Sequence, residues 1–191
     1  FQAASLMDNR FSKDYSIGSI SFYRPEGYGL YENGFLTRSP YSTSWGWLTW
    51  RNRWSEFENE FNGRVRNFSL KMKFLIRGGL LGFRRWSLVS QNLSKGTLDS
   101  WAYRWLFTHW KKGWDSIIVP TNLIENLGFG ESATHTKRGR SAIITKFPRD
   151  EWASWKVKRL SRNSEKQVVY EVYGIHTLRH WVRRKYLGVV K

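Results

Sequence analysis

The chain has 191 residues, of which 40% are hydrophobic, and this composition suits one domain with a sizeable core and excludes a disordered chain. It has no cysteine, which excludes a disulfide framework, and no apolar run approaches the roughly 18–20 residues of a membrane-spanning helix. The formal net charge of +17 and the 12 tryptophans favour an anionic partner, which by composition alone is nucleic acid, an acidic lipid surface or a phosphorylated substrate.

The N-terminal part of the chain predicts one helix and two strands. Residues 1–10 have the pattern of an amphipathic helix, with Leu6 and Met7 on its apolar side. Because the chain begins inside this helix and not with an initiator methionine, we expect it to be a fragment whose N-terminal half is missing. Residues 15–23 alternate weakly and residues 31–39 follow a turn-rich loop, which predicts two strands.

A tryptophan-rich block follows, just before and inside a helix predicted for residues 49–57. It contains Trp45, Gly46, Trp47 and Trp50. Indole rings stack on the C–H faces of sugars, and glycine lets the backbone pass close to a ligand. The block is therefore a candidate sugar-binding site. The alternative is that these tryptophans are core residues, because junctions between strands and helices often bury aromatic side chains.

The clearest helix of the chain lies in its middle. We expect Thr97 or Asp99 to cap it and Lys112 to lie in its last turn, where a cation complements the helix dipole. Aromatic residues cover most of its circumference, so it should be buried on more than one side, with His109 as a hydrogen-bonded core residue. Residues 116–119, which are rich in β-branched side chains, then predict a short buried strand.

Further elements lie on either side of this helix. Residues 68–76 and 80–92 are helical in pattern, residues 141–144 and 168–173 predict strands, and residues 176–186 predict a final helix. The mixture of helices and buried strands indicates an α/β fold.

Three blocks occur in a characteristic order: the tryptophan-rich residues 45–51, Asp99 before a buried helix and a Val-Pro strand, and the glycine-containing residues 120–136. They resemble the blocks of family-two-type bacterial glycosyltransferases of the nucleotide-diphospho-sugar transferase superfamily. The resemblance implies the C-terminal part of a Rossmann-like A-type fold, a mixed sheet with flanking helices. It also implies a partial catalytic domain over residues 1–145, with the donor-nucleotide half upstream, and a basic, aromatic C-terminal appendage over residues 146–191.

The resemblance implies that the protein is an inverting enzyme with Asp99 as its general base, which would take the proton of the acceptor hydroxyl. The simpler alternative is that Asp99 only caps the helix. Trp45, Gly46, Trp47 and Trp50 would bind the acceptor.

The same resemblance assigns a metal and a diphosphate contact to the glycine-containing block. His135 would coordinate a divalent ion, Mn²⁺ or Mg²⁺, and Lys137 and Arg138 would meet the diphosphate. The alternative is a surface loop with an incidental histidine. The chain departs from the family at Ser132, where a second acidic residue is common, and it has no Asp-x-Asp motif, which the resemblance places upstream.

The partners implied are a nucleotide-diphosphate sugar donor and a saccharide or lipid-linked glycan acceptor, in the synthesis of cell-surface polysaccharide. Residues 176–186 resemble an interfacial helix with a cationic face, which predicts a cytoplasmic protein bound peripherally to anionic lipid at the inner face of the cell membrane. Two other functions fit the composition: a basic, aromatic-rich nucleic-acid-binding module and a non-catalytic structural domain.

Overall fold

The computed structural model describes residues 2–24, 34–57, 72–73, 75–77, 79–124 and 154–173. The chain divides into two compact units. The first unit consists of Phe1–Arg24, Leu30–Phe57 and Trp105–Arg159, and the second of Pro25–Gly29, Glu58–Arg104 and Leu160–Lys191. A strand at residues 156–159 belongs to the sheet of the first unit. The boundary predicted at residue 145 lies outside the described residues and stays a prediction.

Helices and strands alternate irregularly along the described residues. The helices are α1 (Gln2–Phe11), α2 (Arg51–Trp54), α3 (Gly79–Ser94), α4 (Trp101–Lys112) and α5 (Arg162–Glu171). The strands are β1 (Ile17–Ser21), β2 (Phe35–Ser39), β3 (Trp47–Leu48), β4 (Asp115–Ile118) and β5 (Lys156–Arg159). The helices predicted for residues 1–10, 80–92 and the middle of the chain and the strands predicted for residues 15–23, 31–39 and 116–119 are confirmed, although α2 is shorter than the helix expected over residues 49–57. The helix expected over residues 68–76 lies largely outside the described residues and stays a prediction. Residues 141–144 and 176–186 lie outside the described part of the chain.

All five strands form one mixed sheet in the first unit, in the order β3-β1-β4-β2-β5. β1 is parallel to β4 and antiparallel to β3. β2 is antiparallel to β4 and parallel to β5. The predicted α/β class and mixed sheet are therefore confirmed.

One face of the sheet forms an apolar core with α1. Ile20 and Ile117 are directly paired on neighbouring strands and are fully buried. The buried cluster consists of Met7, Phe11, Ile17, Ile20, Phe22, Leu36, Ile117, Val119 and Trp155. Burial of each such side chain contributes about 1.5–3 kcal/mol relative to its exposure, so this face contributes strongly to the stability of the sheet.

The opposite face of the sheet carries small hydroxyl side chains. Ser19, Ser21, Ser39 and Ser116 are at most 1% exposed. The Oγ atoms of Ser19 and Ser116 are 2.9 Å apart, so these buried hydroxyls satisfy each other. Their small size leaves room for the aromatic residues of α4.

The helix α4 approaches the sheet closely at Gly18. A Cβ atom at this position would lie 2.7 Å from His109 Cε1 and 2.8 Å from Trp114 Cε3. His109 is fully buried, its Nδ1 lies 3.5 Å from Ser116 Oγ, and its Nε2 has no hydrogen-bond partner. The expectation of a core histidine is confirmed, but that of a fully hydrogen-bonded one is wrong, because no polar group of the described residues lies within hydrogen-bond distance of Nε2.

The hydrogen bonds at the two ends of α4 show which residues begin and end the helix. The helix begins at Trp101, and the carbonyl of Ser100 accepts its first hydrogen bond from Arg104 N, so neither Thr97 nor Asp99 holds the capping position. Gly113 has φ +76°, and Trp114 N donates to His109 O at 2.8 Å. This is a Schellman ending, as the glycine predicts.

The second unit contains α3 and α5. Trp86 of α3 is fully buried, donates from Nε1 to Arg77 O at 3.2 Å and meets Tyr173 edge-on at 5.0 Å. Arg77 also pairs with Glu165 of α5 at 3.6 Å. Within the described residues, no helix is long and apolar enough to cross a membrane.

The strand predicted for residues 168–173 is wrong, because most of this segment lies in α5. Ser161 caps the helix by accepting a hydrogen bond from Ser164 N, and Glu165 lies in its first turn, near the positive end of the dipole. Val168 and Val169 are buried at the end of the helix. Burial of the valines and the polar start of the helix outweigh the strand preference of the β-branched residues.

Candidate functional site

The candidate site lies where the parallel strands β1 and β4 end. Their register pairs Ser21 with Ile118, so the segments that follow both strands leave the sheet at the same edge. Ligands of open α/β sheets bind outside the carboxyl ends of the strands. We call the residues 22–24, 45–46 and 120–124 at this position the carboxyl edge.

Part of the tryptophan-rich block lies at the carboxyl edge. The ring of Trp45 packs on Tyr23 with the ring centroids 4.8 Å apart, and Phe22 N donates to Gly46 O at 2.8 Å. Trp45 is half-buried. The aromatic pair of Tyr23 and Trp45 therefore lies just beyond the end of β1, and its indole is partly accessible.

Position 46 requires a glycine for two reasons, its backbone conformation and the lack of room for a side chain. Its φ is +48°, in the region that side chains rarely adopt, and a Cβ would lie 2.5 Å from Ile124 Cγ2. The glycine thus allows the tryptophan-rich block to approach the segment that follows β4.

Polar contacts join the segments after β1 and β4. Arg24 N donates to Asn122 Oδ1 at 2.7 Å, and Leu123 N donates to Phe22 O at 3.0 Å. The guanidinium of Arg24 also donates to Thr37 Oγ1 at 3.1 Å. The carboxyl edge therefore contributes a guanidinium group that reaches Thr37 of β2.

Trp47 has a different environment from Trp45. It belongs to a cluster with Trp54 and Trp105, at centroid distances of 5.6 Å to each. Trp54 also stacks on Phe57 at 4.6 Å with an interplanar angle of 13°. These contacts are typical of packing between β3, α2 and α4.

Trp50 is held between α1 and α2. Its Nε1 donates to Asp8 Oδ1 at 2.6 Å, and the guanidinium of Arg53 lies over its ring, 4.7 Å from the centroid. Arg53 is itself buried and donates to the carbonyls of Ser12 and Asp14. Trp50 therefore helps to join α1 to α2.

Asp99 lies two residues before α4, in the second unit. Its side chain is 93% exposed, and its Oδ1 is 3.8 Å from Arg104 Nη2. Exposure leaves the carboxylate accessible to a hydroxyl group of a bound ligand. The expectation that Asp99 shares a cleft with Trp45 or Trp47 stays a prediction.

The remaining predicted site residues, His135, Lys137 and Arg138, lie outside the described part of the chain. Within the part that is described, no group of three or more His, Cys, Asp or Glu residues could hold a metal ion. The described residues thus do not by themselves form a metal site, and the role of His135 stays a prediction.

Sequence reasoning missed Tyr23 and Arg24 at the carboxyl edge and Thr37 of β2, which accepts a hydrogen bond from Arg24. The available signal was position, since Tyr23 and Arg24 directly follow a predicted strand, where ligand-binding residues of α/β proteins are common. Thr37 gave no such signal, because its place beside Arg24 depends on the order of strands in the sheet.

Comparisons of the chain with protein-family models, curated proteins and solved structures found no match.

Proposed function

We propose that this protein is a glycosyltransferase with a Rossmann-like A-type fold, which transfers a sugar from a nucleotide diphosphate to a saccharide acceptor. The observation that carries the proposal is the meeting of two distant blocks at the carboxyl edge. Gly46 lies against Ile124, and Phe22 donates to Gly46 O and accepts from Leu123 N, so the tryptophan-rich block meets the start of the glycine-containing block. Their meeting point is the edge where an α/β sheet binds its ligand.

The chemistry of the carboxyl edge suits a saccharide and a phosphate together. The half-buried indole of Trp45 offers an apolar face for the C–H side of a sugar ring, and Tyr23 supports it from one side. Arg24 adds a guanidinium group, which binds phosphate oxygens well. We assign the acceptor contact to Trp45 and Gly46 before Trp47 and Trp50, because the first two lie at the carboxyl edge, whereas Trp47 and Trp50 pack against residues of α1, α2 and α4.

In the proposed reaction, Asp99 accepts the proton of the attacking acceptor hydroxyl. The hydroxyl oxygen forms a bond to the anomeric carbon of the donor sugar, while the bond from that carbon to the diphosphate oxygen breaks. The diphosphate leaves with the electron pair of that bond, and the configuration at the anomeric carbon is inverted. The exposed position of Asp99 permits this approach by a ligand.

The remaining elements of the proposal depend on the resemblance. His135 would contribute to a Mn²⁺ or Mg²⁺ site, Lys137 and Arg138 would contact the diphosphate, and a lipid-linked glycan would place the enzyme at the inner face of the cell membrane. No catalytic step is assigned to the metal, because the described residues do not form its site.

The test is to separate turnover from donor binding in the full-length protein. Asp99→Asn keeps the size and polarity of the side chain but removes its basicity, so transfer should fall by about 10²–10⁴-fold while nucleotide-sugar binding is unchanged. Glu56→Gln is a matched control, because Glu56 is also an exposed carboxylate in a salt bridge. Near-normal turnover of the Asp99 variant would contradict its role as the base.

A further inference from the structure

The outer side of α3 is unusual because it exposes large aliphatic residues. Leu80, Arg84 and Leu88 are four residues apart and therefore lie on one side of the helix. Leu80 is 81% exposed and Leu88 is 48% exposed. Trp86 and Val89 face the opposite way and are buried, so the exposed leucines are not needed for the core of the second unit.

The same side of α3 is strongly basic. Arg84, Arg85 and Lys95 are exposed, and none of the ion pairs within the described residues involves them. Between Glu60 and Asp99 the sequence contains eight Lys or Arg residues and no acidic residue. We call Leu80, Arg84, Arg85, Leu88 and Lys95 the outer face of α3.

The arrangement matches an interfacial helix in both length and pattern. At 1.5 Å per residue, Leu80 and Leu88 are about 12 Å apart along the axis, and both can enter the boundary between headgroups and acyl chains when the helix lies flat. The cations between and beside them would then lie at the level of the phosphates.

We propose that the outer face of α3 docks on an anionic membrane surface. Aliphatic side chains gain free energy in hydrocarbon, whereas binding of single-stranded nucleic acid depends on aromatic platforms. In α3 the indole of Trp86 is buried instead of exposed. The absence of acidic residues from this stretch of sequence complements a uniformly negative lipid surface. This proposal does not depend on the transferase activity.

The chain has no cysteine, so a single probe can report on this face alone. The 191-residue chain with Leu88→Cys would carry an environment-sensitive fluorophore, and Val157→Cys on the exposed strand β5 would carry the same label as a control. Vesicles of phosphatidylcholine with phosphatidylglycerol should shift the emission of the Leu88 label to the blue. Neutral phosphatidylcholine vesicles should not, and the Val157 label should not respond to either.

Substitutions within the face should weaken sedimentation with the anionic vesicles. Arg84→Gln with Arg85→Gln should reduce the partition coefficient by roughly tenfold to thirtyfold, since each basic residue near the surface contributes about 1 kcal/mol. Leu80→Ser with Leu88→Ser should reduce it by about tenfold. Lys13→Gln with Arg51→Gln removes two exposed charges from the first unit and should change it less than about threefold.

Three results would overturn the proposal. One is a vesicle-bound protein whose Leu88 label does not shift, which would place the contact elsewhere. Another is an equal loss of vesicle binding in the variants of the outer face and in the control variant, which would indicate non-specific electrostatic attraction. The third is a label that responds to nucleic acid or to a protein partner but not to anionic vesicles.

Discussion

Trp45 and Trp50 are five positions apart in sequence, yet their side chains have different physical roles. Trp45 lies on Tyr23 at the carboxyl edge, whereas Trp50 donates a hydrogen bond to Asp8 and lies under the guanidinium of Arg53. The sequence predicts that the block is important but cannot separate these roles. The difference depends on α1 and on the segment after β1, which are distant in sequence from the block.

His109 makes stability depend on pH. Burial lowers the pKa of His109 from 6.5 to about 3, because the charged imidazolium would be desolvated. The unfolded chain therefore takes up a proton below pH 6.5 that the folded protein does not take up until about pH 3. The contribution to stability is present above pH 6.5 and is lost as the pH falls, by up to about 1.4 kcal/mol per pH unit.

The measurement is the free energy of unfolding by urea between pH 7 and 4.5. We expect the wild-type protein to lose stability with this slope and His109→Leu to lose less, because the leucine does not titrate. The hydrogen bond from the Ser16 side chain is the chief cause that lowers the pKa of Asp14 below 3.8. The contribution of Asp14 to the free energy of unfolding is therefore lost only below the pH range of this measurement. Parallel curves for the two proteins would show that His109 does not cause the dependence.

Among the helices, local sequence signals predicted α4 correctly but did not predict α5. Gly113 and the basic last turn define the end of α4, and both signals act within one turn of the chain. In α5, Val168 and Val169 favour a strand locally, but they are buried at the end of a capped helix. Burial depends on tertiary contacts, which the periodicity of a short segment does not reveal.

The junction between β3 and the segment after β4 depends on Gly46. Gly46→Ala should lower the free energy of unfolding by about 2 kcal/mol or more, through backbone strain at positive φ and through contact with Ile124. Gly113→Ala is the matched control, since Gly113 has φ +76° but no atom lies within 4 Å of the place that a Cβ would take. This control should cost only the strain of about 1 kcal/mol.

Chemical denaturation of both variants separates strain from contact. Ile124→Ala combined with Gly46→Ala should recover part of the extra loss, because the smaller side chain removes the contact. Equal losses for Gly46→Ala and Gly113→Ala would show that the close approach of Ile124 is not needed.

At the scale of the whole molecule, composition indicated an anionic partner but could not choose among several. The net charge of +17 fits a nucleotide donor, an acidic membrane or a nucleic acid equally well. The α/β class and the mixed sheet were within reach of pattern and resemblance, whereas the parallel pairing of β1 with β4 was not predicted. The placement of Arg24, Asn122 and Trp45 at one edge could not be predicted, because it depends on the order of the strands in the sheet.

The function as a transferase and the alternative of a nucleic-acid-binding module differ in their response to salt. Nucleic-acid binding that neutralises several phosphates loses about 10³–10⁵-fold in affinity between low and moderate salt, whereas stacking of a saccharide on indole changes little. The two functions also require different ligands. Only a transferase releases a nucleoside diphosphate in proportion to added saccharide.

The most direct test of the proposed function is therefore the release of nucleoside diphosphate by the full-length protein, with Mn²⁺ or Mg²⁺ and a panel of nucleotide-diphosphate sugars, as the saccharide concentration is raised. We predict saturable, saccharide-dependent release, with the KM for saccharide raised roughly tenfold by Trp45→Ala and unchanged by Trp101→Ala, which truncates a half-exposed tryptophan of the second unit. No saccharide-dependent release with any donor, or equal saccharide dependence in the wild-type protein and the Trp45→Ala variant, would contradict the proposed site.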